Sequence, residues 1–325
     1  MSLPIRMKAA LCTAYGAPEV IRLGEGPTPK LGADGVLIRV HATTVSSGDW
    51  RVRSLKLPPG FGPLGRLIFG FQRPRQPILG TDCAGVVVEV GPEVQDFRVG
   101  DRVVAFPDFR MGCHAQYVGI SAKGMIAPVP EGLGFEEGTA LCFGGLTALH
   151  FLNKADVKKG DSVLVLGGSG SVGSMLVQLA RFRGAHVTAT CSEANRELVS
   201  GLGAEEVLDY RKGNVFSGGE KYDAVMDTTG TVSRSEALAA LKPEGRAVLL
   251  VAGLSDVLRS VFLGGRVIAS PASSTPEGLR ELIRLAELGS VKSVVERVYE
   301  YGEIVEAHRH VETGRKRGNV VVRWA

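Results

Sequence analysis

Long apolar runs are missing from this chain: none approaches the ~18–20 residues that a membrane-spanning helix requires. Paired cysteines are missing as well. The five cysteines, Cys12, Cys83, Cys113, Cys142 and Cys191, are scattered, odd in number and never in a C-x-x-C arrangement. That argues against a disulfide framework or a structural zinc knot, and for a reducing compartment. No charge sign dominates: 38 Lys and Arg stand against 34 Asp and Glu, with the two signs interspersed, whereas a nucleic-acid binder gathers its surplus into a patch or stripe. Met1 to Arg6 are too few and too polar for a secretory signal, and there is no internal repeat or low-complexity tract. These absences predict a cytoplasmic, soluble protein with neither a nucleic-acid nor a membrane partner.

What is present points to two ordinary globular domains. The length of 325 residues, with 44% hydrophobic and 22% charged, is enough for two separate cores without staples or metals. The first part reads as β-rich: Val36–Val40 and Val86–Val90 are β-branched runs, and Gly100-Asp101 sets a turn before Arg102-Val103-Val104. Between Leu55 and Pro77, Pro58, Pro59, Pro63, Pro74 and Pro77 exclude a long regular element and leave room for one short helical turn at Leu64 to Phe69. A segment of this kind is expected either to cover a substrate cleft with Phe61, Phe69 or Phe71, or to be an ordered surface loop.

From Asp161 the rhythm changes. Ser162–Leu166 is an apolar run of buried-strand length, Ser174–Arg183 has helical spacing and ends at Gly184, and His186–Thr190 is the next strand. Asn195–Leu202 reads as a helix, and Val207–Tyr210, Tyr222–Met226 and Ala247–Val251 as strands. Strands alternating with helices imply βαβ units and a parallel sheet. The tail reads as helix 276–288, strand 294–299, helix 304–311 and strand 319–322.

Gly168-Ser169-Gly170-Ser171-Val172-Gly173 is a literal G-x-G-x-x-G between a buried strand and a helix, the context that gives the pattern meaning. Glycines allow a tight turn and a close backbone approach to a pyrophosphate, and the helix N-terminus offers N–H groups and a positive dipole end to the anion. Folds that bind NAD place a carboxylate at the tip of the next strand to hold the ribose hydroxyls. Here that strand ends in Cys191-Ser192. Ser192 can donate to a 2′-phosphate and Arg196 lies one turn further on, so NADPH is the expected cofactor, with Glu193 as the residue that argues for NADH.

Seven segments in order carry a family resemblance: Met7-Lys8-Ala9; Asp49-Trp50-Arg51-Val52-Arg53; Leu79-Gly80-Thr81-Asp82-Cys83-Ala84-Gly85; Gly100-Asp101-Arg102-Val103; Gly145-Leu146-Thr147-Ala148; Gly203-Ala204 with Asp209-Tyr210; and Ala307-His308 through Gly318-Asn319-Val320. Together they cover the chain from Met7 onward. The chain resembles the zinc-independent quinone oxidoreductase (zeta-crystallin-like) branch of the medium-chain dehydrogenase/reductase family. The resemblance implies an α/β fold with a GroES-like β-rich domain, expected at 1–126 and 266–325, and a Rossmann doubly wound parallel-sheet domain, expected at 127–265. It also implies a homodimer.

Zinc members of that family have a Cys where this chain has Ser46 and a His-Glu pair where it has Thr81-Asp82. A catalytic zinc needs three ligands of the Cys, His, Asp or Glu type, so no metal is expected. The quinone reductase branch itself usually has Asn at the position of Ser46. By the resemblance, Thr147 lies near the nicotinamide, Tyr210 near the 2′-phosphate with Ser192 and Arg196, and Gly253, Leu254 and Asn319 along the cofactor cleft. Ser46, Asp49 and Trp50 border the substrate pocket in this reading. The plainer alternatives are that Asp49 caps a helix, Trp50 fills a core and Asn319 is a strand residue. Without a metal to stabilise a saturated alkoxide, the expected acceptor is a quinone or an α,β-unsaturated carbonyl. A zinc-free alcohol or aldehyde dehydrogenase and a non-catalytic NADPH-binding protein are the alternatives.

Overall fold

The structure is a computed structural model and describes residues 3–213, 215–216, 219, 221–260 and 265–324. The first two residues of the leading stretch, read above as no signal, lie outside that set. The chain forms two compact units. One comprises the chain through Leu57, Gly62–Phe143 and Thr275 onward; the other comprises Pro58–Phe61 and Gly144–Ser274.

The first unit opens with β1 (Arg6–Cys12) and β2 (Ile21–Pro27), an antiparallel hairpin, followed by β3 (Gly35–Val45). Helices α1 (Ser47–Ser54) and α2 (Gly62–Phe69) come next, then β4 (Cys83–Val90), β5 (Arg102–Ala105), β6 (Tyr117–Ser121) and β7 (Ile126–Pro128). Helix α3 (Phe135–Lys154) carries the division between the units, which falls at Phe143/Gly144. The sequence gives no hint of α3. It is apolar nearly all round and holds three glycines, so no 3.6-residue stripe marks it. The division accordingly lies seventeen residues beyond the expected 126/127.

The second unit contains β8 (Ser162–Leu166), α4 (Ser171–Phe182), β9 (His186–Cys191), α5 (Arg196–Gly201), β10 (Glu206–Asp209), β11 (Tyr222–Asp227), α6 (Arg234–Ala239), β12 (Leu241–Leu249), α7 (Leu254–Ser260) and β13 (Val267–Ile268). Among the described residues its six strands are all parallel, in the order β10-β9-β8-β11-β12-β13. That is the 3-2-1-4-5-6 order of a doubly wound sheet, whose ligand crevice opens where the order reverses, between β8 and β11. Leu164, Val165, Val225 and Met226 are fully buried, which is why these strands read as continuous apolar runs rather than alternating ones.

The chain then returns to the first unit with α8 (Pro276–Glu287), β14 (Val295–Glu300), α9 (Ile304–Glu312) and β15 (Asn319–Arg323). The first unit's seven-stranded sheet runs β14-β15-β3-β4-β5-β7, with β6 also paired to β3. Its core gathers Val36, Ile38, Val40, Val87, Val103, Val118 and Trp324. Among the described residues no helix is long and apolar enough to cross a membrane.

Candidate functional site: a phosphate cradle and a buried polar layer

The glycine turn follows β8 at the switch point of the parallel sheet. Gly167 has φ +85°, and a Cβ there would meet Thr229 Cγ2 at 2.6 Å and Thr228 Oγ1 at 2.7 Å. A Cβ on Gly173 would sit 2.1 Å from the Gly167 carbonyl oxygen. These two positions need glycine for the close approach of turn to helix. Gly168 N–H donates to Thr190 O (2.8 Å) and Gly167 N–H to Thr190 Oγ1 (3.1 Å), tying the turn to β9. Thr228 Oγ1 donates to Leu166 O, and the Asp227 carboxylate accepts from the N–H and hydroxyl of Thr229 and the N–H of Gly230.

Helix α4 opens from Gly170 (φ −78°, ψ 174°) with no side-chain cap. Nothing lies closer than 3.5 Å to a Cβ placed on Gly170. An uncapped helix start behind an open glycine is the arrangement that suits an anionic pyrophosphate, so Gly168–Gly173 fit the group expected there. Asn195 Nδ2 donates to Ser169 Oγ (3.2 Å), which links the turn to the segment after β9.

That segment carries the charge. Arg196 Nε donates to Glu193 Oε1 (2.7 Å) and Lys212 Nζ to Glu193 Oε2 (2.9 Å), while another Arg196 nitrogen holds Val207 O. The two cations, Arg196 first, pull the Glu193 carboxyl down to about 2. Glu193, the residue that argued for NADH, is therefore turned to its own cations. The Ser192 side chain makes no capping bond. Arg211 lies over the exposed Tyr210 ring at 5.5 Å. Sequence reasoning missed Lys212 and Arg211. The signal was the Asp-Tyr-Arg-Lys run, but only the parallel pairing of β10 with β9, Asp209 opposite Cys191, brings it beside Ser192.

Other expected cofactor residues have defined places. Thr147 is half-buried on α3. Leu254 N–H donates to Pro59 O (2.8 Å), and Gly253 also packs on Pro59. The described structure thus gives Gly253 and Leu254 the Pro58–Phe61 segment as neighbour. Asn319, in the first unit, is buried, and its amide donates to Ala140 O (3.0 Å) and Val294 O (3.1 Å); it secures β15.

The first unit holds a second constellation, fully buried. Ser46 caps α1: its hydroxyl accepts from Asp49 N–H (3.2 Å), and Asp49 Oδ2 accepts from Ser46 N–H (2.8 Å) and Ser46 Oγ–H (2.6 Å). Asp49 Oδ1 accepts from Gly80 N–H (2.8 Å). The capping alternative for Asp49 is what the geometry shows. The polar atoms of both residues are engaged by each other and by Gly80. Trp50 packs against the core around Val45, Ile304 and Val311.

Asp82 lies deeper. Oδ1 accepts from Thr44 N–H (2.9 Å) and Thr139 Oγ (2.8 Å), and Oδ2 from Thr44 Oγ (2.9 Å). Burial pushes its carboxyl up to about 7 against these donors, and the nearby Asp49 charge adds to the rise. His114 Nε2 lies 3.0 Å from Thr44 O, and the His114 and His308 rings stand edge to face. Cys142 is fully buried, its thiol directed to Gly138 O. Phe69 packs on Cys12, Val52, Leu79 and Met111, whereas Phe71 is exposed. Among the described residues no group of three or more His, Cys, Asp or Glu side chains converges as a metal site requires. Asp82 is surrounded by threonines, and Ser46 is bonded to Asp49.

Comparisons with known proteins agree with this geometry. Residues 32–157 match the alcohol dehydrogenase GroES-like domain and residues 202–322 the zinc-binding dehydrogenase family. The chain is 33% identical to a 2-methylene-furan-3-one reductase of Solanum lycopersicum, over 99% of this chain and 80% of the relative. It is 32% identical, with the same coverage, to an NADPH-dependent alkenal/one oxidoreductase of Arabidopsis thaliana. The solved quinone oxidoreductase of Coxiella burnetii superposes with a TM-score of 0.88 at 30% identity, covering 98% of this chain and 99% of that one. With a doubly wound sheet, a glycine turn at its switch point and these relatives along its whole length, the chain belongs to the medium-chain dehydrogenase/reductase family of nicotinamide-dependent oxidoreductases.

Proposed function

We propose that this protein reduces quinones or α,β-unsaturated carbonyls with NADPH and without a metal. The observation that carries the reading is the charge at the tip of β9: Arg196 and Lys212 meet there on Glu193, the residue after Ser192, while Asp209 lies opposite Cys191. A ribose 2′-phosphate arriving at that tip would meet a serine hydroxyl and two cations, with Arg211 and Tyr210 alongside. The relatives named above for alkenal/one, furanone and quinone substrates support the acceptor class.

The nicotinamide, when bound, supplies the hydride; the protein supplies position and surroundings. Gly168–Gly173 and the start of α4 hold the pyrophosphate, and Ser192, Arg196 and Lys212 hold the 2′-phosphate. The donor set of Ser46, Thr81 and Asp82 suits no zinc. It suits instead an acceptor whose conjugation spreads the incoming negative charge, so that hydrogen-bond donors and solvent complete the protonation. The deciding experiment follows the oxidation of NADPH and of NADH at 340 nm with a panel of quinones and enones, with and without chelator. Turnover that prefers NADPH and ignores chelator supports the proposal. Turnover of simple alcohols that chelation abolishes would replace it with a zinc dehydrogenase, and tight NADPH binding with no turnover of any acceptor would replace it with a binding role.

A further inference from the structure

The chain's positive charge has one origin. From Trp50 to Thr81 there are six basic residues, Arg51, Arg53, Lys56, Arg66, Arg73 and Arg75, and not one Asp or Glu. The rest of the chain, with 32 basic and 34 acidic residues, is slightly negative. The same segment holds α2, whose outward face is apolar. Leu64 is 43% exposed, Leu67 56%, Ile68 55% and Phe71 63%.

The seating of α2 explains that exposure. Gly65 is the buried position of the helix, so close to Leu57 that a Cβ there would stand 2.0 Å from its Cδ1. Phe69, one turn later, packs on the core formed by Cys12, Val52, Leu79 and Met111. Residues 65 and 69, four apart, therefore face inward, 67 lies opposite them, and 64 and 68 lie along the exposed flank. The turn that follows is fixed. Tyr15 OH donates to Gly70 O (2.8 Å), Arg75 N–H donates to Phe69 O (2.7 Å), and the Arg66 guanidinium donates to Phe71 O. These bonds fold Arg73 and Arg75 back beside the C-terminal end of the helix. Arg73 and Arg75 also line, with Arg110 and Lys123, a cleft of about 1050 Å³. The cleft's one lining carboxylate, Glu25, is paired with Arg6 (3.2 Å).

A short helix held rigidly by one edge, apolar on the other and rimmed by cations that form no ion pair among the described residues, has the chemistry of an interfacial element. We propose that α2 and the turn to Arg75 dock this protein on an anionic lipid bilayer. Leu64, Leu67, Ile68 and Phe71 enter the headgroup–acyl boundary, and Arg66, Arg73 and Arg75 meet acidic headgroups. Eight residues span only about 12 Å, so the attachment is peripheral, reversible and dependent on salt. It does not rest on the substrate reading, and its test involves no turnover.

The full chain is sedimented with phosphatidylcholine vesicles, with and without phosphatidylserine, at low and high salt. Wild type is expected in the pellet only with phosphatidylserine at low salt. Near a membrane surface each cation is worth roughly fivefold in partitioning, so reversing two of them in R73E/R75E should lower binding by tenfold or more. L67E/I68E should lower it comparably by removing the inserted apolar area. Melting temperatures by circular dichroism within a few degrees of wild type show that these exposed changes leave the fold intact. Wild type left in the supernatant with acidic vesicles overturns the proposal. So does undiminished binding of L67E/I68E, which removes apolar area from this face and adds acid to it. If light scattering shows that L67E/I68E splits a dimer while wild type ignores vesicles, the occupant of this face is a second copy of the chain.

Discussion

The glycine turn after β8 and the layer around Asp49 and Asp82 use the same residue types to opposite ends. Both are made of Gly, Ser, Thr and Asp at the end of a strand. In the turn, α4 starts without a side-chain cap and the space beyond Gly170 is open. In the layer, the Asp49 and Asp82 carboxylates together take six hydrogen bonds from Ser46, Gly80, Thr44 and Thr139. One region starts its helix without a side-chain cap; the other spends its donors on its own carboxylates. What separates a binding site from a polar core is thus whether the donors are already taken, and residue type alone does not reveal it.

The sharpest way to break this contrast is at its tightest contact. Gly173→Ala would press a methyl to 2.1 Å from the Gly167 carbonyl and 3.0 Å from Gly168 Cα. The turn must move, and NADPH binding measured by titration calorimetry should weaken by about a hundredfold or more. Gly170→Ala, with nothing nearer than 3.5 Å, should melt like wild type. Equal effects of the two substitutions on folding and binding would mean that the turn is not a close-packed cradle.

In the layer, Asp82→Ala leaves the Thr44 N–H and two threonine hydroxyls without their acceptor and should cost about 3–5 kcal/mol in urea denaturation. The titration of Asp82 gives a subtler check. Its carboxyl is raised from 3.8 to about 7, so the native state keeps a proton that the unfolded chain releases. The resulting stabilisation is complete below about pH 4 and is lost as pH rises through 7. Wild type should therefore lose stability relative to Asp82→Asn between pH 4 and 7; a difference that stays flat would contradict this. A smaller effect is expected at the cap. Ser46→Ala should cost about 1 kcal/mol and leave kcat/KM for a soluble quinone within about twofold, because the hydroxyl is bonded to Asp49. A collapse of kcat with stability unchanged would return Ser46 to the chemistry.

The parts of the molecule that the sequence made legible are those with a local physical signature. Ser162–Leu166, the glycine turn and the strands after it were readable because strands buried on both faces are apolar throughout and glycines punctuate them. The expected start of α4 at Ser174 was late by three residues, since Ser171-Val172-Gly173 belong both to the motif and to the helix. Helix α2 runs through Pro63 because proline is tolerated in a first turn, where its missing N–H has no partner to lose. Helix α3 was hidden by its own glycines; a Cβ on Gly144, for instance, would meet Ser171 O at 2.5 Å. Arg196 could be found by counting from the motif. Lys212 lies sixteen residues further on, and only the β9–β10 pairing makes them neighbours. The involvement of Ser46 and Asp49 with each other was legible as a cap, but their complete occupation became clear only once Gly80 was placed against Asp49.

The central claim is that Arg196 and Lys212, gathered on Glu193 at the tip of β9, select a 2′-phosphate. Its most direct test is the ratio of dissociation constants for NADPH and NADH in wild type and in an Arg196→Ala, Lys212→Ala double variant. A preference for NADPH of about tenfold or more in wild type, reduced to near unity in the variant by weaker NADPH binding alone, is the predicted result. Equal affinities in wild type, or a preference that survives loss of both cations, would contradict it.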